Sequence, residues 1–399
     1  MEAVQNIFTK FLENKPIFVN REALTISFTP ESVPHREKQI NDLSRILAPA
    51  LKGGKPSNVF IYGKTGTGKT LVSRLVGTEL ERTSRGLGAS PTKAVYVNCK
   101  MKKAADTEYR LLAGLSKEFG KNVPFTGLPT DQVYQIFFNT LDSTKQNLLL
   151  IIDEIDSLIE KTGDEILYNL TRINQELSNS RVSLIGITNN LGFIEMLDPR
   201  IKSALGEEEL IFPPYNALQL QDILKSRASL AFVSGTLENG VIEKCAALAA
   251  QEHGDARRAL DLLRVAAEIA ERNAEETVRL AHVDVAQGKI DLDRVIETVK
   301  AQPRQSQAVL YSIMQLADKN SNVQTGGVFE VYHNICAQHA LKPLTQRRIS
   351  DLIAELDLFG IITTKIISRG RYGRTRIITI NLSDTVRKRL KNLLYEIFL

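Results

Sequence analysis

A glycine-rich stretch near residue 60 limits most strongly what this chain can fold into. In "NVFIYGKTGTGKTLVSRLVGTEL" (58–80) an apolar run leads into Gly63-x-x-x-x-Gly68-Lys69-Thr70, and a helical pattern follows. Glycine permits backbone N–H groups to approach phosphate oxygens closely, and the positive end of the following helix dipole favours the same anions. The stretch therefore predicts a buried strand, a phosphate-binding loop and a helix, in that order.

The loop residues have separate predicted tasks. Lys69 is expected to neutralise the β- and γ-phosphates of a bound nucleotide, and the Thr70 hydroxyl to hold Mg²⁺. A glycine-rich turn with a chance lysine is the alternative, but a strand and a helix flank this loop as phosphate binding requires. We predict contacts with ATP or ADP from the whole loop: Lys64, Thr65, Gly66, Thr67, Gly68, Lys69, Thr70 and Leu71.

A second motif favours the same chemistry. Five apolar residues, 148–152, fit a strand buried on both faces of a parallel sheet, and Asp153 and Glu154 follow where its carboxyl end would face the phosphates. Asp153 is predicted to hold Mg²⁺ together with Thr70, and Glu154 to orient or deprotonate the attacking water. Two acids at a strand exit can also be purely structural, but the phosphate loop makes the catalytic interpretation the stronger one.

Three further strand candidates complete a sheet. They are "AVYVN" (94–98), "VSLIGITNN" (182–190) and "LIF" (210–212), and helical stretches separate them. This alternation predicts an α/β fold with a doubly wound parallel sheet, which we assign to residues 1–214. Asn189 is expected to position water beside the γ-phosphate, although asparagine is also common in turns for conformational reasons.

Residues 215–300 are predicted to form a helical lid domain, because glycine and β-branched residues thin out and helical patterns take over. One such helix is "GDARRALDLLRVAAEIAER" (254–272), with Arg257 and Arg258 in its first turn. Cations are unfavourable at a helix N-terminus, so an anionic partner such as a nucleotide phosphate is expected there. For one of the two arginines a solvated side chain is the alternative.

Positive charge is concentrated at the end of the chain. Residues 300–399 contain 15 Lys and Arg against 7 Asp and Glu, whereas residues 1–299 contain 36 against 39. A basic quarter on a near-neutral body predicts that this quarter meets a polyanion. No apolar run reaches the roughly 18 residues of a membrane span, and the 3 cysteines match no metal spacing. We therefore expect a soluble intracellular protein without a membrane partner.

Residues 301–399 predict a winged-helix domain, since three helical patterns precede a hairpin. The third helix lies within "LTQRRISDLIAELDLFGII" (344–362). Thr345 is its expected N-cap, and Arg347 and Arg348 fall in its first turn, where a recognition helix meets base edges. We predict that Thr345, Arg347 and Arg348 contact DNA. The alternating segments "IITTKIIS" and "TRIITIN" then form the hairpin, which would be the wing.

The tip of this hairpin, "SRGRYGRTRI" (368–377), is the densest positive stretch of the chain. Its glycines permit close approach to a nucleic-acid backbone, and arginine supplies planar donors for phosphates or a narrow minor groove. An exposed charged turn is the alternative. The residues predicted to contact DNA here are Arg369, Arg371, Tyr372 and Arg374.

Together these motifs resemble the AAA+ ATPases. More closely, they look like the archaeal replication initiators related to the eukaryotic origin-recognition complex and its loading partner. The resemblance covers nearly the whole chain and implies an AAA+ doubly wound parallel sheet with a helical lid and a C-terminal winged-helix domain. It is carried by "PHRE" (34–37), "YGKTGTGKT" (62–70), "IIDEID" (151–156), "GITNN" (186–190), "FPPY" (212–215) and "GDARRALDLLR" (254–264).

The resemblance also implies roles for particular residues. Asn189 would be the first sensor of the bound nucleotide and Arg257 the second. An insertion at about residues 100–140, which touches DNA in the family, would include Thr126 and Gly127. The adenine side of the pocket would be lined by Val33, Pro34, Arg36 and Tyr215.

One position departs from the family pattern. In "PRIKSALGEEE" (199–209) members often carry an arginine that serves a neighbour's active site, and this chain has Ala204 there. Such an arginine raises the hydrolysis rate by about 10³–10⁵-fold. The departure therefore favours a slow ATPase that acts as a switch.

The resemblance implies an ATP-dependent replication initiator, cytoplasmic and associated with the nucleoid. Its partners would be double-stranded origin DNA, paralogous initiator subunits and the replicative helicase. Two alternatives remain open on the residues alone. A clamp-loader or remodelling ATPase would share the nucleotide motifs, but would more typically keep the missing arginine and end in an oligomerising collar. A nucleotide-gated transcription regulator would share the winged helix.

Overall fold

The computed structural model describes residues 15–86, 88–100, 107–124, 126–190, 192–205, 208–319, 323–368, 374–380, 382 and 384–398. The chain divides into two compact units, residues 1–280 and 281–399. The sequence-based domain boundaries after residues 214 and 300 stay predictions.

A five-stranded parallel sheet forms the centre of the first unit. The strands are β1 (Val59–Gly63), β2 (Thr92–Asn98), β3 (Asn147–Asp153), β4 (Arg181–Thr188) and β5 (Glu208–Phe212). Their order is β2-β3-β4-β1-β5, and every neighbouring pair is parallel. This order makes β1, β3 and β4 close neighbours, so the residues at their carboxyl ends meet at one edge of the sheet.

Helices cover both faces of this sheet. They are α1 (Glu37–Leu47), α2 (Lys69–Gly86), α3 (Glu108–Glu118), α4 (Thr130–Leu141), α5 (Ile155–Thr162), α6 (Glu165–Arg172), α7 (Phe193–Met196) and α8 (Pro199–Leu205). Along β3, Leu148, Leu150 and Ile152 pack into a core with α3 to α6. The alternate residues, Leu149 and Ile151, pack into a second core with α1 and α2. The continuous apolar run of β3 is thus explained by burial on both faces.

Three further helices of the first unit form the lid. They are α9 (Ala217–Ala231), α10 (Val241–Gln251) and α11 (Ala256–Arg272). The beginning of the described chain packs on α9, because the Val19 N–H donates to the Ala231 carbonyl at 2.8 Å. The Phe18 ring stacks on Phe232 with 5.1 Å between centroids. Sequence analysis did not predict that residues so far apart in the chain share one hydrophobic contact.

The second unit contains the winged helix. Its helices are most of α12 (Leu280–Ala301), then α13 (Arg304–Lys319), α14 (Thr325–Gln338), α15 (Gln346–Leu358) and α16 (Asp384–Ile397). Its strands are β6 (Val323–Gln324), β7 (Thr363–Ser368) and β8 (Arg374–Thr379), which form an antiparallel sheet of order β6-β8-β7. The hairpin and the three helices before it agree with the prediction, whereas β6 and α16 were not predicted.

Burial explains the position of α15. Thr345 caps the helix by accepting the Arg348 N–H, as predicted, and four apolar residues on one face are buried. They pack with Ile378 of β8 and Leu390 of α16 in one core. The predicted fold class, an α/β sheet with a helical lid and a C-terminal winged-helix domain, is confirmed. Within the described ranges, no helix is long and apolar enough to cross a membrane.

Candidate functional site

The loop between β1 and α2 has the backbone conformation that its glycines predict. Gly66 and Gly68 have φ values of +70° and +91°, which other residues rarely adopt. A Cβ on Gly68 would lie 3.0 Å from the Tyr215 hydroxyl oxygen, and one on Gly66 would overlap the Asp255 carboxylate. Side chains at these two positions would therefore displace the loop from its neighbours.

Lys69, the first residue of α2, lies under this loop and is 6% exposed. Its Nζ donates to the carbonyl oxygens of Gly63 at 2.7 Å and Lys64 at 2.8 Å, and to Asn189 Oδ1 at 2.7 Å. Burial lowers the pKa of Lys69 to about 8, although the nearby Asp153 carboxylate acts in the opposite direction. The ammonium group is thus held by neutral oxygens at the place where phosphate oxygens would arrive.

The side chains next to Asp153 fit a magnesium ion. Thr70 Oγ1 donates to Asp153 Oδ2 at 2.7 Å, and the Tyr96 hydroxyl donates to the same oxygen at 2.8 Å. Burial raises the pKa of Tyr96 to about 12, so this hydroxyl stays protonated at neutral pH. Hydroxyl and carboxylate oxygens are hard ligands of the kind that Mg²⁺ prefers. Tyr96 lies in a predicted strand but was not predicted to reach the site.

Glu154 has both carboxylate oxygens occupied. Oε1 accepts a hydrogen bond from Asn189 Nδ2 at 2.9 Å, and Oε2 pairs with Lys100 Nζ at 2.8 Å. The backbone of Glu154 is left-handed, with φ of 56°, a conformation that costs a non-glycine residue energy and is concentrated at functional sites. Lys69, Asn189 and Glu154 therefore form one hydrogen-bonded chain, and Lys100 adds a contact that sequence analysis missed.

The lid helix α11 begins directly against the phosphate loop. Asp255 caps it by accepting the Arg257 and Arg258 N–H groups, and the Ala256 N–H donates to the Gly66 carbonyl at 3.2 Å. The two arginines then differ. Arg258 pairs with Glu252 at 3.2 Å and its side chain is 11% exposed. Arg257 lines the cavity beside the loop and, in the described part of the chain, has no ion-pair partner.

The two arginines offer a matched test. Replacing Arg257 by alanine should weaken ATP binding about tenfold without lowering the melting temperature, because one charged hydrogen bond to phosphate is lost. Replacing Arg258 by alanine should leave ATP affinity within about threefold and cost about 1–3 kcal/mol of stability, because Glu252 loses its partner. Calorimetric titration and thermal unfolding of both variants check this. Equal losses of affinity would contradict the assignment of Arg257.

Arg36 and Tyr215 lie behind the phosphate loop. Arg36 is 2% exposed. Its Nε donates to the Thr67 carbonyl at 2.8 Å, and Nη2 donates to the Pro213 carbonyl at 2.5 Å. Its guanidinium carbon lies 3.8 Å from the centroid of the Tyr215 ring. This arginine thus joins the phosphate loop to the segment that leads into the lid.

A cavity of about 410 Å³ lies between the loop and the lid. Of the residues predicted to bind the nucleotide, the lining includes Val33, Pro34, Gly66, Thr67, Gly68, Lys69, Thr70, Leu71, Asp153, Glu154, Asn189, Tyr215 and Arg257. Lys64 and Thr65 are exposed on the loop and, like Arg36, do not belong to this lining. Sequence analysis missed the remaining lining, which consists of residues 25–30, Ser32, Arg74, Tyr96, Asn98, Ile223, Ser226, Arg227, Ala256 and Leu260.

The residues predicted to contact DNA lie in both units. In the first unit, Thr126 and Gly127 are exposed in the turn before α4. In the second unit, Arg347 and Arg348 are exposed at the start of α15. Nη1 of Arg348 lies 3.5 Å from Glu355 Oε1 and 4.0 Å from Asp351 Oδ2, both on its own helix. Arg347 has no ion pair within the described residues. Arg347 is therefore the more available cation of the two.

The described wing ends just before its tip. Ser368 of β7 pairs with Arg374 of β8, and the predicted DNA contacts Arg369, Arg371 and Tyr372 lie outside the described residues. Arg376 Nη1 donates to the Ser350 carbonyl at 3.0 Å and so ties β8 to α15. The wing is thereby held against the helix predicted to meet base edges.

A parallel sheet with a phosphate loop, two acids at a strand exit and an adjoining helical lid defines a AAA+ ATPase, here joined to a winged helix. Three family models match: "AAA domain" at residues 53–193, "Cdc6 AAA+ ATPase-type lid domain" at 221–288 and "CDC6, C terminal winged helix domain" at 297–388. The chain belongs to the family of ORC1-type DNA replication proteins, as its relatives establish.

Two such relatives and one solved structure illustrate the similarity. The chain is 53% identical over 382 residues to ORC1-type DNA replication protein 1 of Archaeoglobus fulgidus, which covers 96% of this chain and 92% of that protein. It is 50% identical over 386 residues to the ORC1-type DNA replication protein of Thermococcus onnurineus, with 95% and 92% covered. The Aeropyrum pernix ORC1 protein, solved in complex with DNA, is 46% identical with a TM-score of 0.82, covering 96% and 99% of the two chains.

Proposed function

We propose that this protein is an ATP-dependent replication initiator that binds origin DNA through its winged helix and through the turn at Thr126 and Gly127. The observation that carries the proposal is the cavity between phosphate loop and lid, around which Lys69, Asp153 and Arg257 converge. The relatives' names, and the DNA-bound state of the Aeropyrum pernix protein, support the DNA part. The division at residues 214 and 300 is proposed with it.

The contacts around Lys69 support the proposed binding of ATP. We assign the β- and γ-phosphates to the loop, where the ammonium group of Lys69 exchanges carbonyl oxygens for phosphate oxygens. Mg²⁺, held by Thr70 and Asp153, would offset the phosphate charge. Arg257 then approaches the same phosphates from the lid, so the presence of the γ-phosphate sets how closely α11 docks on the loop.

Hydrolysis is assigned to Glu154 and Asn189. The carboxylate of Glu154 takes the proton of the attacking water, and the amide of Asn189 orients that water. Oε2 of this carboxylate is paired with Lys100, so the ion pair has to open before that oxygen can accept a proton. With Ala204 in place of a trans-acting arginine, hydrolysis is proposed to be slow and to work as a switch.

DNA binding is assigned mainly to the second unit. Arg347 and Arg348 at the start of α15 would meet base edges, and the wing arginines would hold phosphates or a narrow minor groove. Association with paralogous initiators, and recruitment or loading of the replicative helicase, complete the proposal. Both rest on the family alone.

Footprinting on chromosomal DNA, with ATP and with ADP, tests the proposed function. Protection of a replication origin that changes with the nucleotide is expected. Scattered protection of promoters, without an origin among the sites, would instead identify a nucleotide-gated transcription regulator and overturn the proposal.

The wing makes a separate quantitative prediction. A double variant, Arg371→Ala with Arg374→Ala, should flatten the dependence of DNA affinity on salt by up to about 1.8 log units per decade, if both side chains contact phosphate. Arg294→Ala with Lys300→Ala is the control, since it removes two exposed cations from α12 instead. Filter binding at several salt concentrations measures the slopes. Equal slopes for the two double variants would show that the wing carries only solvated charge.

A further inference from the structure

A strap of irregular chain, residues 25–33, crosses one side of the nucleotide cavity. It connects the segment packed on α9 with α1, and all but one of its residues line the cavity. Within the described chain, residues 29–33 make no backbone–backbone hydrogen bond. The position of the strap therefore depends on side chains that hold it from outside.

Arg227 of α9 is one such side chain. It is 8% exposed and lines the same cavity. Its Nη1 donates to the Ala23 carbonyl at 3.1 Å and its Nη2 to the Phe28 carbonyl at 3.5 Å. Its guanidinium carbon also lies 4.6 Å from the centroid of the Phe28 ring. Arg227 thus contacts the strap through the carbonyl and the ring of Phe28, and it contacts the segment just before the strap through the Ala23 carbonyl.

The chemistry of Arg227 is unusual for a buried cation. No carboxylate pairs with it in the described ranges, and burial lowers its pKa. Two carbonyls and a ring replace only part of the hydration that a guanidinium loses on burial. Leu220 and Leu224 are buried on the same helix as ordinary apolar residues. An aliphatic residue at position 227 would pack there without that loss, so the arginine is explained by the contact with the strap.

We propose that Arg227 is a positioning residue: it fixes the strap in place, and the fixed strap recognises the base of the bound nucleotide. The proposal rests on the nucleotide binding proposed above. The phosphate loop and Arg257 contact phosphates, which are the same in every nucleoside triphosphate. Peptide groups of a fixed strap can distinguish the 6-amino group of adenine, a donor, from the 6-oxo group of guanine, an acceptor. A loose strap accommodates either base.

The test compares three ligands, ATP, GTP and inorganic tripolyphosphate, each with Mg²⁺, by equilibrium titration. Arg227→Met keeps the length of the side chain but removes its donors. The variant loses both hydrogen bonds from Arg227 to the backbone carbonyls, so we expect ATP affinity to fall about tenfold. We also expect the preference for ATP over GTP to collapse. Tripolyphosphate affinity should stay within about twofold. Arg227→Lys, which keeps one donor group, should restore part of the preference.

Arg264→Met is the matched control. Arg264 lies on α11, pairs with Asp261 and Glu268, and does not line the cavity. This variant should keep both the affinity for ATP and the preference over GTP, and its melting temperature measures what a lost lid arginine does to stability alone.

The outcomes separate the inference from the function on which it rests. If Arg227→Met weakens all three ligands equally, Arg227 is a structural brace and the inference is wrong. If the unaltered protein binds ATP and GTP equally well, the strap does not read the base and the inference is also wrong. If the unaltered protein binds neither nucleotide nor tripolyphosphate, the proposed function itself fails.

Discussion

Replacing Lys69 by alanine is expected to weaken ATP binding by about 10²-fold or more. Among the described residues of the loop, Lys69 is the one buried cation that lines the cavity. Charged hydrogen bonds contribute about 1.5–3 kcal/mol each. The variant also leaves the carbonyls of Gly63 and Lys64 and the Asn189 amide without their donor. Equilibrium titration with ATP measures the loss, and unchanged affinity would contradict the assignment of the phosphate loop.

The pH dependence of ATP affinity gives this prediction a second readout. The pKa of Lys69 is lowered to about 8, chiefly by burial. Phosphates favour the charged form, so binding raises that pKa and takes up a proton. ATP affinity should therefore be constant below about pH 8 and fall above it, by up to tenfold per pH unit. A Lys69→Arg variant is the control, because its guanidinium stays charged and its affinity should not fall over the same range.

Much of the fold could be predicted because its elements are defined locally. The apolar run of β3 has no polar interruption, which only burial on both faces permits, and the start of α15 has a threonine cap before an apolar face. The short β6 strand of Val323–Gln324 has no pattern of its own. It exists because it pairs with β8, and a pairing partner cannot be found from two residues.

The residues of the candidate site also fall into two groups, those that the sequence could predict and those that it could not. Residues that belong to the loop and to the strand exits were predictable, because the chemistry dictates their spacing and the sheet brings them together. Arg227, Lys100 and the strap were not. Their roles depend on contacts between distant parts of the chain: residues 25–30 cross a cavity whose lining extends along the chain as far as Leu260. Neither periodicity nor charge marks such residues in advance.

Sequence alone also could not separate the members of each arginine pair. The sequence does not distinguish Arg257 from Arg258, or Arg347 from Arg348. The difference appears only when Glu252 turns toward Arg258, and when Glu355 lies near Arg348 on the same helix. In each pair the arginine without a carboxylate is the one with charge available for a phosphate.

Replacing Glu154 by glutamine is expected to leave ATP binding within about threefold and to slow hydrolysis by about 10²–10⁴-fold. Glutamine has the same shape, and its carbonyl oxygen can still accept the Asn189 amide, so the chain from Lys69 to residue 154 persists. It cannot accept a proton from water. The variant therefore loses the chemical step and the ion pair with Lys100, but it keeps the contact through Asn189 that holds Lys69.

The control for this variant is Glu160→Gln on α5, the same change at an exposed residue six positions along the chain. Equilibrium titration and single-turnover hydrolysis of both variants separate binding from chemistry. Undiminished turnover in Glu154→Gln would show that another group activates the water. Loss of binding would show that the carboxylate, through Asn189, chiefly holds Lys69 in place. With binding kept and hydrolysis lost, the variant would hold the protein with ATP bound, and the nucleotide dependence of DNA protection could be measured on that state alone.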